Sequence, residues 1–422
     1  MQRRRCVVVR QGHLIEIRVL IAVVEAFLIA VVVVGCGGSG PGNIDGRDGE
    51  RGAAATNEET TAPEGDRPAT GTAREPAGLD VKVVTPGQAY VPAGFGEGSL
   101  WATDLATCND TGSASTSAGS ASSSAAACAL PAKTLLKKLD PQTGEEVAAI
   151  PLKDFSANIT EVAFGAGSVW VSSGDYYPGP VGRRQPGDVM LRVDPRTNRV
   201  VDRIPVDSPS GLAFGHGSVW VTSAAYGTVS RIDPQTGEVV AKIEVGRGAV
   251  DIAVDESSGA VWVAGLDLSE DYVEYDPPKY SEDRKLSRVD PATNRVVAEI
   301  PIRAGSPDGG AQSVAVGKSE VWAQSVDGRL FKVNPATNEV AAMVSLGEWS
   351  SHLAVFRGAV WATFQAYSAG TGEQLVRVDP RTEHVVASED IGPVSRVGYG
   401  RLVAGGGYVW SASRGGLARV AP

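Results

Sequence analysis

Apolar and polar residues alternate along most of the chain in short runs that turn residues separate. One stretch shows four such runs in succession, at Gly211–Phe214, Ser218–Thr222, Thr228–Ile232 and Val239–Val245. Short valine-rich runs bounded by glycine, proline or aspartate predict β-strands. Beyond residue 34 the sequence shows no apolar residues at the three- and four-residue spacing that predicts a helix. The chain is therefore predicted to be all-β.

Two motifs repeat along the chain. A glycine-containing turn followed by an apolar residue and tryptophan occurs seven times, ending at Trp101, Trp170, Trp220, Trp262, Trp322, Trp361 and Trp410. An Asp/Asn-Pro-x-Thr turn between two apolar runs occurs six times, at Pro141, Pro195, Pro234, Pro291, Pro335 and Pro380. Four strands per unit, at periods near 40 residues, predict the blades of a propeller.

The two ends of the repeat region complement each other. The last repeat holds three strands, and the sequence stops at Pro422, where a seventh proline turn would begin. The run Leu79–Thr85 precedes the first tryptophan motif and resembles the fourth strand of the other repeats. We therefore predict a seven-bladed β-propeller of four-stranded blades over residues 79–422, with the last blade closed by the N-terminal strand. Such closure removes exposed sheet edges.

The proline turns and the tryptophans are each open to two interpretations. Proline at the second turn position, with aspartate before it and glycine or asparagine after the threonine, favours a tight hairpin. Metal ligation by the aspartates is the alternative. The tryptophans recur within one strand, which favours packing between blades over contact with a ligand.

The N-terminus resembles an export signal. Five arginines accompany the 16-residue apolar run Val19–Val34, which is short for a membrane span but fits a signal peptide. The run ends in Val33-Val34-Gly35-Cys36, similar to a bacterial lipobox, in which the cysteine is acylated. We predict a lipoprotein signal over residues 1–35. An uncleaved anchor helix is the alternative, since Glu25 interrupts the run.

Residues 36–78 contain almost no large apolar residue and are rich in glycine, alanine, threonine, proline and glutamate. Such a segment cannot bury enough surface to fold and is predicted to be a disordered tether. The chain would then be anchored in the cell membrane through its lipid, with the propeller on the extracytoplasmic side. We expect a monomer.

Charge narrows the classes of partner. The 422 residues carry a formal net charge of −10, and 34 basic against 47 acidic residues remain without residues 1–35, a net charge of −13. A nucleic-acid binder needs a basic surplus to neutralise phosphates, so that class is excluded. The expected partners are an envelope protein, a glycan or a small ligand.

The blade motif carries a family resemblance. Val219-Trp220-Val221-Thr222-Ser223, followed by Ser230-Arg231-Ile232-Asp233-Pro234, resembles the YVTN-type seven-bladed propellers and the virginiamycin B lyase and NHL-like group. The resemblance implies the propeller fold for about four-fifths of the chain, and the group contains non-enzymatic envelope proteins as well as a lyase. The lyase likeness implies a magnesium-dependent elimination with a histidine base and a Glu-x-His pair. This sequence has no Glu-x-His pair.

Insertions between the second and third strands mark one candidate binding face. The blade-two insertion carries Tyr176, Tyr177 and Arg183, and the blade-four insertion carries Tyr272 and Tyr275, residue types favoured in binding hot spots. In blade four, Asp267 and Asp271 begin like a calcium loop, but Tyr272 and Pro278 stand where that loop needs glycine and glutamate, which favours a solvated acidic loop. In blade one, Cys108 and Cys128 flank a loop rich in serine and alanine, which predicts a disulfide in an exported protein.

The mouth of the central channel is the second candidate site. Aligning the repeats on the tryptophan gives the residue that enters each innermost strand: Pro92, Glu161, Gly211, Asp251, Ser313, His352 and Arg401. Glu161, Asp251 and His352 are candidates to hold a metal or to serve as acid and base. Arg401 and Trp349, the latter expected in a blade-to-blade loop, are candidate ligand contacts.

Two functions from different classes follow. The first is a non-catalytic propeller that binds its partner on the inserted-loop face. The second is a lyase or lactonase with a divalent cation, magnesium or calcium, at the channel mouth. No cofactor is firmly predicted, and the missing Glu-x-His pair favours the first.

Overall fold

The structure, a computed structural model, is an array of β-strands. It describes residues 76–86, 90–104, 135–152, 159–173, 189–266, 285–302, 310–347, 349–365, 373–392, 401–413 and 416–422. Within these ranges every regular element is a strand, and no helix is present that is long and apolar enough to cross a membrane. The predicted signal, the lipidation site Cys36 and residues 36–75 of the predicted tether lie outside the described residues.

The strands are named in chain order. The first thirteen are β1 (Val81–Val83), β2 (Tyr90–Gly96), β3 (Ser99–Asp104), β4 (Leu135–Leu139), β5 (Glu146–Pro151), β6 (Ile159–Gly165), β7 (Ser168–Ser173), β8 (Val189–Asp194), β9 (Arg199–Pro205), β10 (Pro209–Gly215), β11 (Ser218–Ser223), β12 (Thr228–Ile232) and β13 (Val239–Glu244). The next eight are β14 (Ala249–Val254), β15 (Val261–Gly265), β16 (Lys285–Asp290), β17 (Arg295–Pro301), β18 (Ala311–Val316), β19 (Val321–Ser325), β20 (Arg329–Asn334) and β21 (Glu339–Ser345). The last seven are β22 (Trp349–Phe356), β23 (Ala359–Gln365), β24 (Glu373–Asp379), β25 (His384–Gly392), β26 (Val403–Gly405), β27 (Tyr408–Ser413) and β28 (Gly416–Val420).

These strands form seven antiparallel four-stranded sheets, which confirms the predicted propeller. Blades one to six are β2–β5, β6–β9, β10–β13, β14–β17, β18–β21 and β22–β25, each in sequence order. The innermost strands contact one another in a closed ring, β2, β6, β10, β14, β18, β22 and β26, with β26 returning to β2. The sheets therefore surround a central channel lined by the first strand of every blade.

The seventh blade is closed by the N-terminal strand, as the sequence predicts. Its order is β26, β27, β28, β1, and β1 pairs with β28 through Val81 opposite Val420 and Val83 opposite Ala418. The strand is shorter than the predicted Leu79–Thr85, although Val84 N still donates to Leu417 O at 2.8 Å and Leu417 N donates to Thr85 Oγ1 at 2.8 Å. Contacts of the propeller begin slightly before residue 79, since Ala77 bridges to Ala387 of blade six.

The seven repeat tryptophans form the core between blades. All seven side chains are fully buried, each within a cluster that mixes side chains of adjacent blades. Burying one aromatic side chain contributes roughly 2–3 kcal/mol. The interpretation of these residues as core aromatics is confirmed.

The proline turns adopt the predicted hairpin geometry. In blade one Asp140 Oδ1 accepts from Gln142 N at 2.7 Å and Thr143 N at 2.9 Å, and Gly144 has φ 78°. The equivalent position has positive φ in the five other turns, at Asn198, Gly237, Asn294, Asn338 and Glu383. Hydrogen bonds from backbone N–H groups lower the pKa of Asp140, whose carboxylate thus serves the turn.

A cation on the third strand joins blades one, three, four, five and seven to the blade that follows. Lysine or arginine two residues before the Asp-Pro or Asn-Pro pair lies over the tryptophan ring, with Arg231 Cζ 5.0 Å from the Trp220 centroid. Arg231 Nη1 also donates to Pro291 O of the following blade at 2.6 Å. The same bond to a turn proline joins Lys138 to Pro195, Arg288 to Pro335, Lys332 to Pro380 and, across the ring closure, Arg419 to Pro141. We call these contacts the blade latches.

Candidate channel-mouth site

The channel mouth lies at the end of the propeller where the innermost strands begin. Because β6 and β7 pair antiparallel, with Ile159 opposite Ser173, the start of each innermost strand adjoins the end of the second strand. The third strand of each blade also starts at this end of the propeller, and the link from the preceding blade arrives there. The described strand ends that flank the insertions, such as Ser173 and Val189 in blade two, therefore lie on the face where the mouth opens.

A β-bulge occurs at the mouth in the first six blades. In blade two the register between β6 and β7 shifts between Ile159 and Glu161, and in blade four it shifts between Ala249 and Asp251. Equivalent shifts occur in blades three, five and six, and in blade one the shift lies two residues further along the strand, between Pro92 and Gly94. A bulge re-aims the side chain at the shift. The candidates Glu161 and Asp251 stand at such positions.

Glu161 and Arg401 form an ion pair across the mouth. Arg401 Nη1 lies 3.0 Å from Glu161 Oε2, and the side chains are 16% and 31% exposed. Arg401 precedes β26 of blade seven, whereas Glu161 belongs to blade two. Burial raises the pKa of Glu161 to about 7; Arg401 lowers this pKa and the Asp251 carboxylate raises it. The sequence alignment correctly brought these residues to one opening, but it did not predict their pairing.

Asp251 is held by the protein backbone and a serine. Its Oδ2 accepts from Ser313 Oγ at 2.9 Å and Val314 N at 2.8 Å of blade five, and its Oδ1 accepts from Ile252 N at 2.8 Å. Burial raises the pKa of Asp251, and these hydrogen bonds oppose the rise. Asp251 therefore ties blade four to blade five, with most of its acceptor capacity in use.

His352 and Trp349 both belong to β22. His352 is half-buried within the strand. The expectation that Trp349 lies in a blade-to-blade loop is wrong, because β22 starts earlier and pairs Trp349 with Gln365. Among the described residues, no group of three histidine, cysteine, aspartate or glutamate side chains could hold a metal ion. The described geometry thus gives no support to a metal site shared by Glu161, Asp251 and His352.

The remaining sequence candidates lie outside the described residues. They are the blade-two residues Tyr176, Tyr177 and Arg183, the blade-four residues Asp267, Asp271, Tyr272 and Tyr275, and the cysteines Cys108 and Cys128. Their proposed roles in ligand binding, cation binding and a disulfide stay predictions.

One cavity that the sequence did not indicate lies at the ring closure. Thr85 and Pro86 line one side of it, and Tyr90, Lys137 and Glu146 of blade one line the other. Lys137 Nζ is paired with Glu146 Oε2 at 2.8 Å, and Glu145 also lines the cavity. We assign no ligand to it.

The ionisation of Glu161 makes stability depend on pH. A carboxyl whose pKa is raised on folding stabilises the fold below its unfolded pKa of 4.5, and this contribution is lost as pH rises through about 7. We expect the free energy of unfolding of the wild type, minus that of Glu161→Gln, to fall by about 1–2 kcal/mol between pH 5 and pH 8.

Urea denaturation of the full chain at both pH values measures this difference. The matched control is Glu238→Gln, which changes an exposed glutamate in the blade-three turn at the opposite face. A difference that rises with pH would show instead that the ion pair with Arg401 outweighs burial.

The fold defines the class of this protein, a seven-bladed β-propeller with a charged channel mouth. No known protein family matches the sequence, and no curated protein matches it. Among solved structures, the chain is similar to Kuenenia stuttgartiensis hydrazine synthase, with 16% identity and a TM-score of 0.47 over 61% of this chain and 74% of that one. The resemblance to the YVTN-type propellers stays a prediction.

Proposed function

We propose that this chain is an extracytoplasmic propeller, tethered to the cell membrane through Cys36, that binds its partner on the face where the channel mouth opens. The observation that carries the proposal is the partly exposed Glu161–Arg401 ion pair at the mouth. Charged side chains are seldom placed where burial costs them solvation unless they are paired or functional. The proposed partner is a small ligand, a glycan or an envelope protein that reaches this pair.

A panel of small probes tests binding at the mouth. Binding to the native state alone raises the melting midpoint by mass action. We expect at least one of methylammonium, acetate, glucose, Mg²⁺ and Ca²⁺, at millimolar concentration, to raise the midpoint of the full chain. The rise is expected to be lost in Glu161→Gln for a cationic probe or in Arg401→Gln for an anionic probe, and kept in Glu238→Gln. The proposal fails if no probe raises the midpoint or if both Glu161→Gln and Arg401→Gln leave every rise intact.

An enzyme of lyase or lactonase type is the second candidate, and one observation favours it. A carboxyl with a pKa near 7, as in Glu161, is suited to general acid–base catalysis at neutral pH. This candidate predicts that Mg²⁺ or Ca²⁺ raises the midpoint, that a chelator reverses the rise, and that His352→Ala abolishes it. Metal probes without effect would leave the binding module as the better account.

Fractionation of the cells that express the full chain tests the tether. With Cys36 acylated, the wild type is expected in the membrane fraction with incorporated fatty acid, and Cys36→Ser is expected to incorporate none. Cys36→Ser that stays in the membrane would favour the alternative of an anchor helix at Val19–Val34. A wild-type chain found only in the soluble fraction would contradict both.

A further inference from the structure

The strands around Glu161 supply little charge to balance it. Those packed against β6 are β2, β7 and β10, and all three are free of lysine, arginine, histidine, aspartate and glutamate. Their one titratable side chain, Tyr90, lies within 3.4 Å of Glu146 Oε2, on the outer strand of blade one. Within the described residues, Arg401 is therefore the one cation paired with Glu161.

Within the described residues, the charges that act on Glu161 leave a surplus of negative charge. Glu161 and Asp251 are two carboxylates, Arg401 is one guanidinium, and both Asp251 and Arg401 affect the pKa of Glu161. The three donors to Asp251 are neutral, a hydroxyl and two backbone N–H groups, so they satisfy its oxygens without cancelling its charge. A buried charge is costly unless an opposite charge accompanies it. One positive charge would balance the site.

Glu161 has room to accept that charge. Its side chain is 31% exposed, and the contact that it makes within the described residues is from Oε2 to Arg401. A carboxylate offers two oxygens with about four acceptor positions. Oε1 can therefore accept from a ligand while Oε2 stays paired with Arg401.

We infer that the channel mouth binds a protonated amine, whose ammonium group donates hydrogen bonds to Glu161 while Arg401 stays in place. This inference rests on the proposed binding function of the mouth and adds the chemical class of the ligand. An anion at Arg401 would have to displace Glu161 and add to the negative surplus. The acidic chain, with its net charge of −10, also attracts cations over anions.

Proton linkage gives the inference a specific signature. A cation beside Glu161 lowers the pKa of its carboxyl from about 7, so binding at pH 7 must release protons. At pH 5 the carboxyl is mostly protonated, and the amine must displace its proton. We expect the dissociation constant for methylammonium to be about 10- to 100-fold weaker at pH 5 than at pH 8.

Isothermal titration of the full chain with methylammonium, in two buffers of different ionisation enthalpy, is the test. We expect release of about half a proton per amine at pH 7, none at pH 9, and no binding to Glu161→Gln. Glu238→Gln should bind as the wild type does. Melting curves without probe check that Glu161→Gln is folded, and Glu161→Asp is the second variant should it not be, with weakened but pH-dependent binding expected.

Other probes separate this inference from the proposed function. Tetramethylammonium carries the charge but has no N–H group, and we expect it to bind more weakly than methylammonium. Equal binding of the two, or no binding of methylammonium, would overturn the inference. Acetate that binds with proton uptake and is lost in Arg401→Gln would also overturn it, while leaving the mouth as a binding site.

Discussion

Gly416→Ala is expected to lower the free energy of unfolding by about 3 kcal/mol or more. Gly416 begins β28, has φ 135°, and a Cβ there would lie 2.1 Å from the carbonyl oxygen of Thr85. That oxygen belongs to the segment that follows β1, which closes the ring. The backbone of one terminus would have to move away from the other, with loss of the bonds between Leu417, Val84 and Thr85.

Gly98→Ala is the matched control for the closure. Gly98 also has a positive φ, 71°, but a Cβ there would meet nothing within 4 Å. Gly98→Ala should lower the free energy of unfolding by about 1 kcal/mol, because alanine disfavours a positive φ. Urea denaturation of both variants measures the difference, which reports the ring closure. Equal losses would show that the junction of β1 and β28 does not hold the propeller together.

Arg231→Met should lower the free energy of unfolding by about 2–3 kcal/mol. Methionine fills a similar length but removes the cation over Trp220 and the donors to Pro291 O at 2.6 Å and Asn294 Oδ1 at 3.0 Å. The Pro291 carbonyl then loses a charged partner between blades three and four. Denaturation of the variant measures the loss.

Arg199→Met provides the comparison for that latch. Arg199 is an exposed arginine at the start of β9. Surface substitutions of this kind change stability by about 0.5 kcal/mol or less. If Arg231→Met cost no more than Arg199→Met, the blade latches would be incidental contacts.

The fold could be predicted from the repeat pattern because each strand and each turn has its own signature in the local sequence. Proline fixes one turn dihedral and glycine or asparagine takes the left-handed position, so the turns at Asp140 and Asp233 could be predicted without tertiary contacts. Closure could be predicted as well, since a repeat with three strands requires a fourth. The blade latches do not follow from the sequence alone, although their signal, a lysine or arginine three residues before the turn proline, is present in all six repeats that have this turn and recurs as Arg419 in the seventh repeat.

The candidate site was predicted only in part. Aligning repeats brings Glu161, Asp251 and Arg401 to the same opening, because a propeller places equivalent residues at equivalent heights. Alignment cannot tell that Arg401 pairs with Glu161 or that Ser313 and Val314 bond to Asp251, since these contacts join different blades through residues at least 60 positions apart. Bulge positions, which aim the side chains, also have no signature in a single strand. The start of β22 at Trp349 could not be predicted for a related reason, because it depends on the pairing of Trp349 with Gln365 of the neighbouring strand.

Direct titration of the Glu161 carboxyl tests the central claim, that the channel mouth holds an under-compensated carboxylate able to bind a cation. The carboxyl carbon of Glu161, assigned by comparison with Glu161→Gln in ¹³C-glutamate-labelled full chain, can be followed by NMR across pH 4–9. We predict a pKa of about 7 without ligand and a lower value with saturating methylammonium. A pKa near 4.5 under both conditions would contradict the account.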